Sequence, residues 1–129
     1  MTQTILVVDD SPTIVKFVSF SLRNSGFNVV TASDGMDAVE KVSHLEDDVD
    51  LVITDLNMPN LDGYGLIGTL RQSEKHRETP IIILSSEDGE DDRKRGITVG
   101  ANSYLVKPFK SSLLLYEVSK YLKISSVNV

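Results

Sequence analysis

The chain has 129 residues and no cysteine, enough for one hydrophobic core and incompatible with disulfide staples, thiolate nucleophiles or Cys-based zinc sites. Nineteen Asp and Glu against thirteen Lys and Arg leave a formal net charge of −6, the wrong sign for gripping a nucleic-acid backbone. Met1 to Val8 has no basic flank, and no apolar run approaches the roughly eighteen residues of a membrane span, so a cytoplasmic protein without secretion signal or membrane contact is expected.

Along the chain, five short apolar runs alternate with five segments of helical spacing. Thr4 to Val8 is nearly continuous and β-branched, as expected of a strand buried on both faces. Ser11 then offers an N-cap and Pro12 a first helical residue; Ile14, Phe17, Val18 and Leu22 fall on one stripe, and Gly26 ends the helix. Asn28 to Ala32 reads as the second strand, and a second helix carrying Ala38, Val39, Val42 and Leu45 follows the turn-like pair Asp34-Gly35. Leu51 to Thr54 is the third strand, and past Asp62-Gly63 comes a short helix with Tyr64, Ile67 and Leu70. Ile81 to Leu84 and Ser103 to Val106 are the fourth and fifth strands. Between them Asp88 to Val99 makes the weakest helix, because Gly89 and Gly96 interrupt it and few apolar residues anchor it. The charge-rich stretch Glu87 to Arg95 reads as a solvated face. The fifth helix, Ser111 to Leu122, puts Leu114, Leu115, Val118, Tyr121 and Leu122 on one side and leaves Leu113 and Tyr116 outside that stripe.

Strict alternation of strand and helix predicts an α/β fold, a three-layer α/β/α domain around a five-stranded parallel sheet, since right-handed crossovers place helices on both faces. One domain over 1–124 and a short tail over 125–129 are expected, with no linker, repeat or output domain. Ligands of such sheets bind beyond the carboxyl ends of the strands. The informative polar residues gather there: Asp9 and Asp10 after the first strand, Asp55 after the third, Ser85 after the fourth and Lys107 after the fifth.

Three carboxylates in one crevice repel one another, and a hard divalent cation is the simplest relief. Mg²⁺, or Mn²⁺ in its place, suits oxygen ligands and shares its coordination with phosphate; the two histidines, His44 and His76, fall in expected surface segments and argue against a soft-metal site. A carboxylate can attack phosphorus to give an aspartyl phosphate, and Asp55, at the end of the central strand, is the natural nucleophile, with Asp9 and Asp10 as ligands or supports. Lys107 adds a positive charge and Ser85 a hydroxyl. Taken singly, each residue has an ordinary reading: Asp9 to Pro12 as a helix cap, Asp55 to Gly63 as a turn, Lys107-Pro108 as a loop entrance. Their convergence on one edge is what carries the chemistry.

The residues Val7-Val8-Asp9-Asp10, the run Thr54 to Gly63, Ser85 after an apolar strand, and Lys107-Pro108-Phe109 together resemble the response-regulator receiver family, in particular its small single-domain chemotaxis type, from about Ile5 to Leu122. The resemblance implies a flavodoxin-like strand order 2-1-3-4-5, Asp55 as phosphoacceptor, Asp9, Asp10, Asp55 and the Asn57 backbone carbonyl as metal ligands, and phosphoryl contacts from Ser85 and Lys107. It implies a cis bond between Lys107 and Pro108, a switch coupling Ser85 to the Tyr104 ring, and a role for Asn57 and Glu87 in tuning hydrolysis of the acyl phosphate. It also implies a histidine kinase as donor and a monomer signalling to an output protein in chemotaxis or motility. The output face expected comprises the fourth helix, the fifth strand and the fifth helix, with Tyr104, Leu113 and Tyr116 on it. Two departures stand out: Ser85 where the family often carries Thr, and Arg93, Lys94 and Arg95 on a helix expected to be more apolar. Rival readings are a metal-dependent phosphohydrolase working through an aspartyl phosphate, which needs a second acid or base and a leaving-group pocket, and a single-domain phosphorelay intermediate. A flavin or nucleotide binder is disfavoured because Asp9 and Asp10 would repel a phosphate.

Overall fold

Runs of β-branched and leucine side chains settle where both strand faces can be buried, and in the computed structural model, which describes residues 2–45 and 48–124, they form the sheet. The order is β1 (Thr4–Val8), α1 (Pro12–Asn24), β2 (Asn28–Ala32), α2 (Gly35–His44), β3 (Leu51–Asp55), α3 (Gly63–Gln72), β4 (Ile81–Ser85), α4 (Glu90–Val99), β5 (Ser103–Val106) and α5 (Ser111–Ser119). All strand pairs are parallel and the order across the sheet is β2-β1-β3-β4-β5. The tail expected over 125–129 lies outside the described residues. Among the described residues no helix is long and apolar enough to cross a membrane.

The two faces of the sheet follow the strand period of two. Ile5, Val7, Ile53, Ile82 and Leu84 pack with Val18 and Leu22 of α1 and Leu114 and Val118 of α5. Leu6, Val8, Val52, Ile81 and Ile83 pack with Ala38 of α2 and Leu66, Ile67 and Leu70 of α3. β1, β3 and β4 are buried along their whole length, whereas the edge strands β2 and β5 are not, so burial on both faces holds for the three central strands only. The outer edge of β2 is closed by cations: Arg23 donates to the Val29 carbonyl (3.4 Å) and Lys41 to the Thr31 carbonyl (2.7 Å), which blunts it against strand addition.

Ser11 caps α1 with Pro12 in its first turn, as the sequence predicts. Asp34-Gly35 and Asp62-Gly63, expected as turns, are helix starts: each Asp is the N-cap, accepting from the amide of Asp37 or Gly65, and each Gly opens its helix. Phe17, expected on the core stripe, is 39% exposed and instead meets Phe109 at 5.8 Å between ring centroids. His76, expected at the surface, is buried at 3% exposure, whereas His44 is exposed.

Gly96 corrects the sequence reading of α4. It is the one buried residue of that helix, and a Cβ there would stand 2.6 Å from Ile83 Cδ1, so the missing side chain lets α4 sit close to β4 rather than breaking it. A fully buried Leu or Ile stabilises by about 1.5–3 kcal/mol, and α4 has none; its N-terminal Glu90, Asp91 and Asp92 favour the helix dipole instead.

Candidate functional site

Because all five strands run in parallel, the residues that end them share one edge. Asp9 follows β1, Asp55 closes β3, Ser85 closes β4 and Lys107 follows β5. One carboxylate oxygen each from Asp9, Asp10 and Asp55 can be chosen so that all lie within 4.8 Å of one another. Asp9 and Asp55 are buried and Asp10 is exposed, so the cluster opens to solvent on the Asp10 side.

Lys107 is the counter-charge. Its Nζ donates to Asp9 Oδ2 at 2.8 Å and lies 3.6 Å from Asp55 Oδ1. Asp9 Oδ1 accepts from the Ser11 amide (2.9 Å) and Asp55 Oδ1 from the Leu56 amide (2.8 Å), so both carboxylates are oriented by the backbone that follows them. One lysine does not balance three carboxylates. Burial, and then the negative charge of Asp9, push the Asp55 carboxyl above its ordinary value, with Lys107 opposing and Asp10 adding to the rise. A crowded set of hard oxygen donors, short of positive charge, is the donor chemistry that suits Mg²⁺.

The loop after β3 is held tightly under this cluster. The Gly63 amide donates to the Leu56 carbonyl (2.9 Å), and a Cβ on Gly63 would collide with the Asp55 carbonyl and with Leu56. Asn57 sits exposed in that loop and Glu87 exposed after β4, both at the same edge. The Lys107–Pro108 peptide bond is cis.

Ser85 is fully buried, and its Oγ accepts from the Glu87 amide at 3.0 Å. The Glu87 carbonyl in turn accepts from the Tyr104 hydroxyl at 2.7 Å. The Tyr104 ring is half-buried and packs inward against the core on β5, next to Ile83 of β4, with its edge toward Gly96 of α4. Ser85 and Tyr104 are therefore joined through one residue's backbone. The resemblance implies a hydrolysis-tuning role for Glu87, and nothing in its side chain signals this use of its peptide groups. Leu113 and Tyr116 of α5 and Ile97 of α4 are exposed, at 44%, 60% and 50%.

Residues 5–119 match the response regulator receiver domain family. Protein PilG of Pseudomonas aeruginosa PAO1 is 36% identical over 118 residues, covering 92% of this chain and 86% of PilG. The transcriptional regulatory protein HprR of Escherichia coli K12 is 39% identical over 119 residues, and there the match takes 92% of this chain but about half of HprR, 51%. Among solved structures, the chemotaxis protein CheY4 of Vibrio cholerae superposes with a TM-score of 0.88 at 34% identity, covering 95% of this chain and all of that one. The receiver domain of the sensor histidine kinase PA1611 from Pseudomonas aeruginosa PAO1, solved with a magnesium ion coordinated in its active-site cleft, gives a TM-score of 0.84 at 32% identity, covering 94% of this chain and 98% of that one. With that match over most of its length and the acidic cluster at the expected edge, this chain belongs to the response regulator receiver domain family.

Proposed function

We propose that Asp55 is the phosphoacceptor of a two-component signalling protein. An Asp55 carboxylate oxygen attacks the phosphorus of a phosphohistidine on a histidine kinase; the O–P bond forms as the N–P bond breaks, and the imidazole nitrogen keeps the electron pair. The observation that carries this reading is the convergence of three carboxylates and one lysine at the sheet edge. Both the Leu56 amide and Lys107 meet Oδ1 of Asp55, which orients the carboxylate and leaves Oδ2 for the attack.

Asp9, Asp10, Asp55 and the Asn57 carbonyl would hold Mg²⁺. When bound, the cation supplies charge neutralisation for the carboxylates and for the phosphoryl oxygens. Lys107 contacts a phosphoryl oxygen, and Ser85 offers its O–H, since the Glu87 amide uses only a lone pair of its Oγ. Asn57 and Glu87, exposed at the rim, tune water attack on the acyl phosphate.

Phosphorylation draws on Ser85 and favours the inward Tyr104 ring through the Glu87 backbone, changing the face formed by α4, β5 and α5, where an output protein meets Tyr104, Leu113 and Tyr116. Likeness to a chemotaxis protein of Vibrio cholerae supports an output in chemotaxis or motility. In this reading the chain acts as a cytoplasmic monomer. Incubation with Mg²⁺ and acetyl phosphate is expected to give a hydroxylamine-sensitive phosphoryl adduct that Asp55→Asn abolishes. Survival of the adduct in Asp55→Asn would sink the assignment, and repeated turnover of outside phosphoesters would favour the hydrolase.

A further inference from the structure

Helix α4 is attached to the molecule by unusual means. Arg93 Cζ lies 5.1 Å from the centroid of the Tyr104 ring, and Arg95 Cζ lies 3.9 Å from that of Tyr64. At about 100° per residue the two side chains leave α4 on opposite flanks, with Gly96 between them on the side toward the sheet. Tyr104 belongs to β5 and Tyr64 to α3, so the helix is clasped from both neighbours. The ion pairs among the described residues include neither arginine, which leaves the rings as their partners.

The Tyr104 ring is consequently bounded on three sides. The Arg93 guanidinium covers its face, the Glu87 carbonyl takes its hydroxyl at 2.7 Å, and bare backbone at Gly96 abuts its edge, where a Cβ would be 3.4 Å from Cδ2. The first contact comes from a charge on an exposed helix surface that packing does not require. It sits on the ring that the proposed coupling to Ser85 would turn.

We propose that Arg93 is a positioning residue for the Tyr104 switch, a latch that holds the ring inward and so favours the phosphorylated conformer. This rests on the Ser85–Tyr104 coupling proposed above. Arg95 plays a different part, keeping α4 on Tyr64 whichever way the Tyr104 ring turns. A cation over a tyrosine face at an exposed site implies about a two- to fivefold bias between ring conformers.

The test uses the full chain carrying 3-fluorotyrosine at its four tyrosines, with Tyr104→Phe to assign the ¹⁹F resonance of Tyr104, and a titration with beryllofluoride and Mg²⁺. Arg93→Ala is expected to move the Tyr104 resonance before any titration and to raise the half-saturating beryllofluoride concentration about two- to fivefold. Arg93→Lys should restore most of both, and Arg95→Ala should move the Tyr64 resonance while leaving Tyr104 in place. A Tyr104 resonance and a midpoint that Arg93→Ala leaves at their wild-type values would overturn the latch. If beryllofluoride shifts Tyr104 in no variant, the coupling to Ser85 fails, and the resonance of the untreated Arg93→Ala protein alone decides the latch.

Discussion

The two ends of the sheet each gather charge and treat it in opposite ways. At the carboxyl edge, Asp9, Asp10 and Asp55 share one lysine, and the Asp55 carboxyl is raised by burial and by Asp9. At the other edge, Arg71 from α3 donates from Nε and Nη2 to the Gly100 carbonyl, from Nη1 to the His76 and Thr79 carbonyls, and from Nη2 to Asn102 Oδ1, at 2.7 to 3.0 Å. Asn102 Oδ1 also accepts from the Ile81 amide, which ties the start of β4 into the same knot. A guanidinium has five N–H donors, and here all five are used. The difference separates a fixture from a site: a charge with every bond made has nothing left to offer a ligand, whereas a charge left short of partners is poised to receive one.

The comparison breaks if Arg71 proves dispensable. Removing it leaves the carbonyls of Gly100 and Thr79 short of a donor, each costing about 1–3 kcal/mol where water cannot replace it, while the His76 carbonyl keeps the Thr79 amide at 3.3 Å. Arg71→Ala should therefore destabilise by about 3 kcal/mol and lower Tm by roughly 10 °C. Arg71→Lys should recover less than half of that, because an ammonium has three donors and no planar fork. Urea unfolding of the three proteins measures this, and a lysine variant as stable as the wild type would show that charge, not the fork, matters.

The acidic edge should respond in the opposite sense. A carboxyl with its folded value raised above the unfolded one binds its proton more tightly when folded, so its contribution is fully present below the unfolded value and is lost as pH rises through the folded one. At neutral pH in the absence of divalent cation, ionised Asp55 is thus a liability, and Asp55→Asn should stabilise the protein on the order of 1 kcal/mol. The gap should close as pH falls into the carboxylate range, and Mg²⁺ should close it from the other direction by binding the wild type better. Melting curves with EDTA and with Mg²⁺ test both arms. An Asn variant less stable than the wild type under EDTA would mean that Lys107 more than compensates for the crowding.

The same contrast explains what could be read from the sequence. Strands β1, β3 and β4 are legible because burial on both faces demands continuous apolar runs; Asp9, Asp55 and Ser85 are legible because they lie at the ends of such runs, and Lys107 because it follows the shorter, half-buried β5. The Arg71 knot carried no signal, since its partners are mostly backbone carbonyls, which every residue has. Gly96 was misleading for a related reason: helix propensity scores the glycine against the helix, while its actual role is set by Ile83 and Tyr104 across the interface. His76 lies among Glu74, Lys75, Arg77 and Glu78, and those neighbours make the whole stretch look solvated although its ring turns inward.

That buried ring yields the smallest of the expected effects and a test of which edge governs behaviour in mild acid. Nδ1 of His76 meets Thr79 Oγ1 at 3.3 Å, and Nε2 is buried with no hydrogen-bond partner among the described residues. Burial pulls its pKa below the ordinary histidine value, the Lys75 charge adds to this, and Asp48 opposes it. For a histidine lowered on folding, the unfolded chain takes the proton first; stability is complete above the ordinary value near 6.5 and falls as pH drops through it toward the folded value. Asp55 acts with the reverse sign, so the wild-type pH profile is a sum of opposing slopes, and only a difference between variants isolates either group. Between pH 7 and pH 5, His76→Phe should lose less stability than the wild type by about 0.5 kcal/mol, well under the roughly 1.4 kcal/mol per pH unit that one whole proton allows. Urea midpoints for the two proteins at both pH values measure the difference. Parallel profiles would mean that the ring is protonated without leaving its pocket, and the closed edge would then be more tolerant of charge than its saturated Arg71 implies.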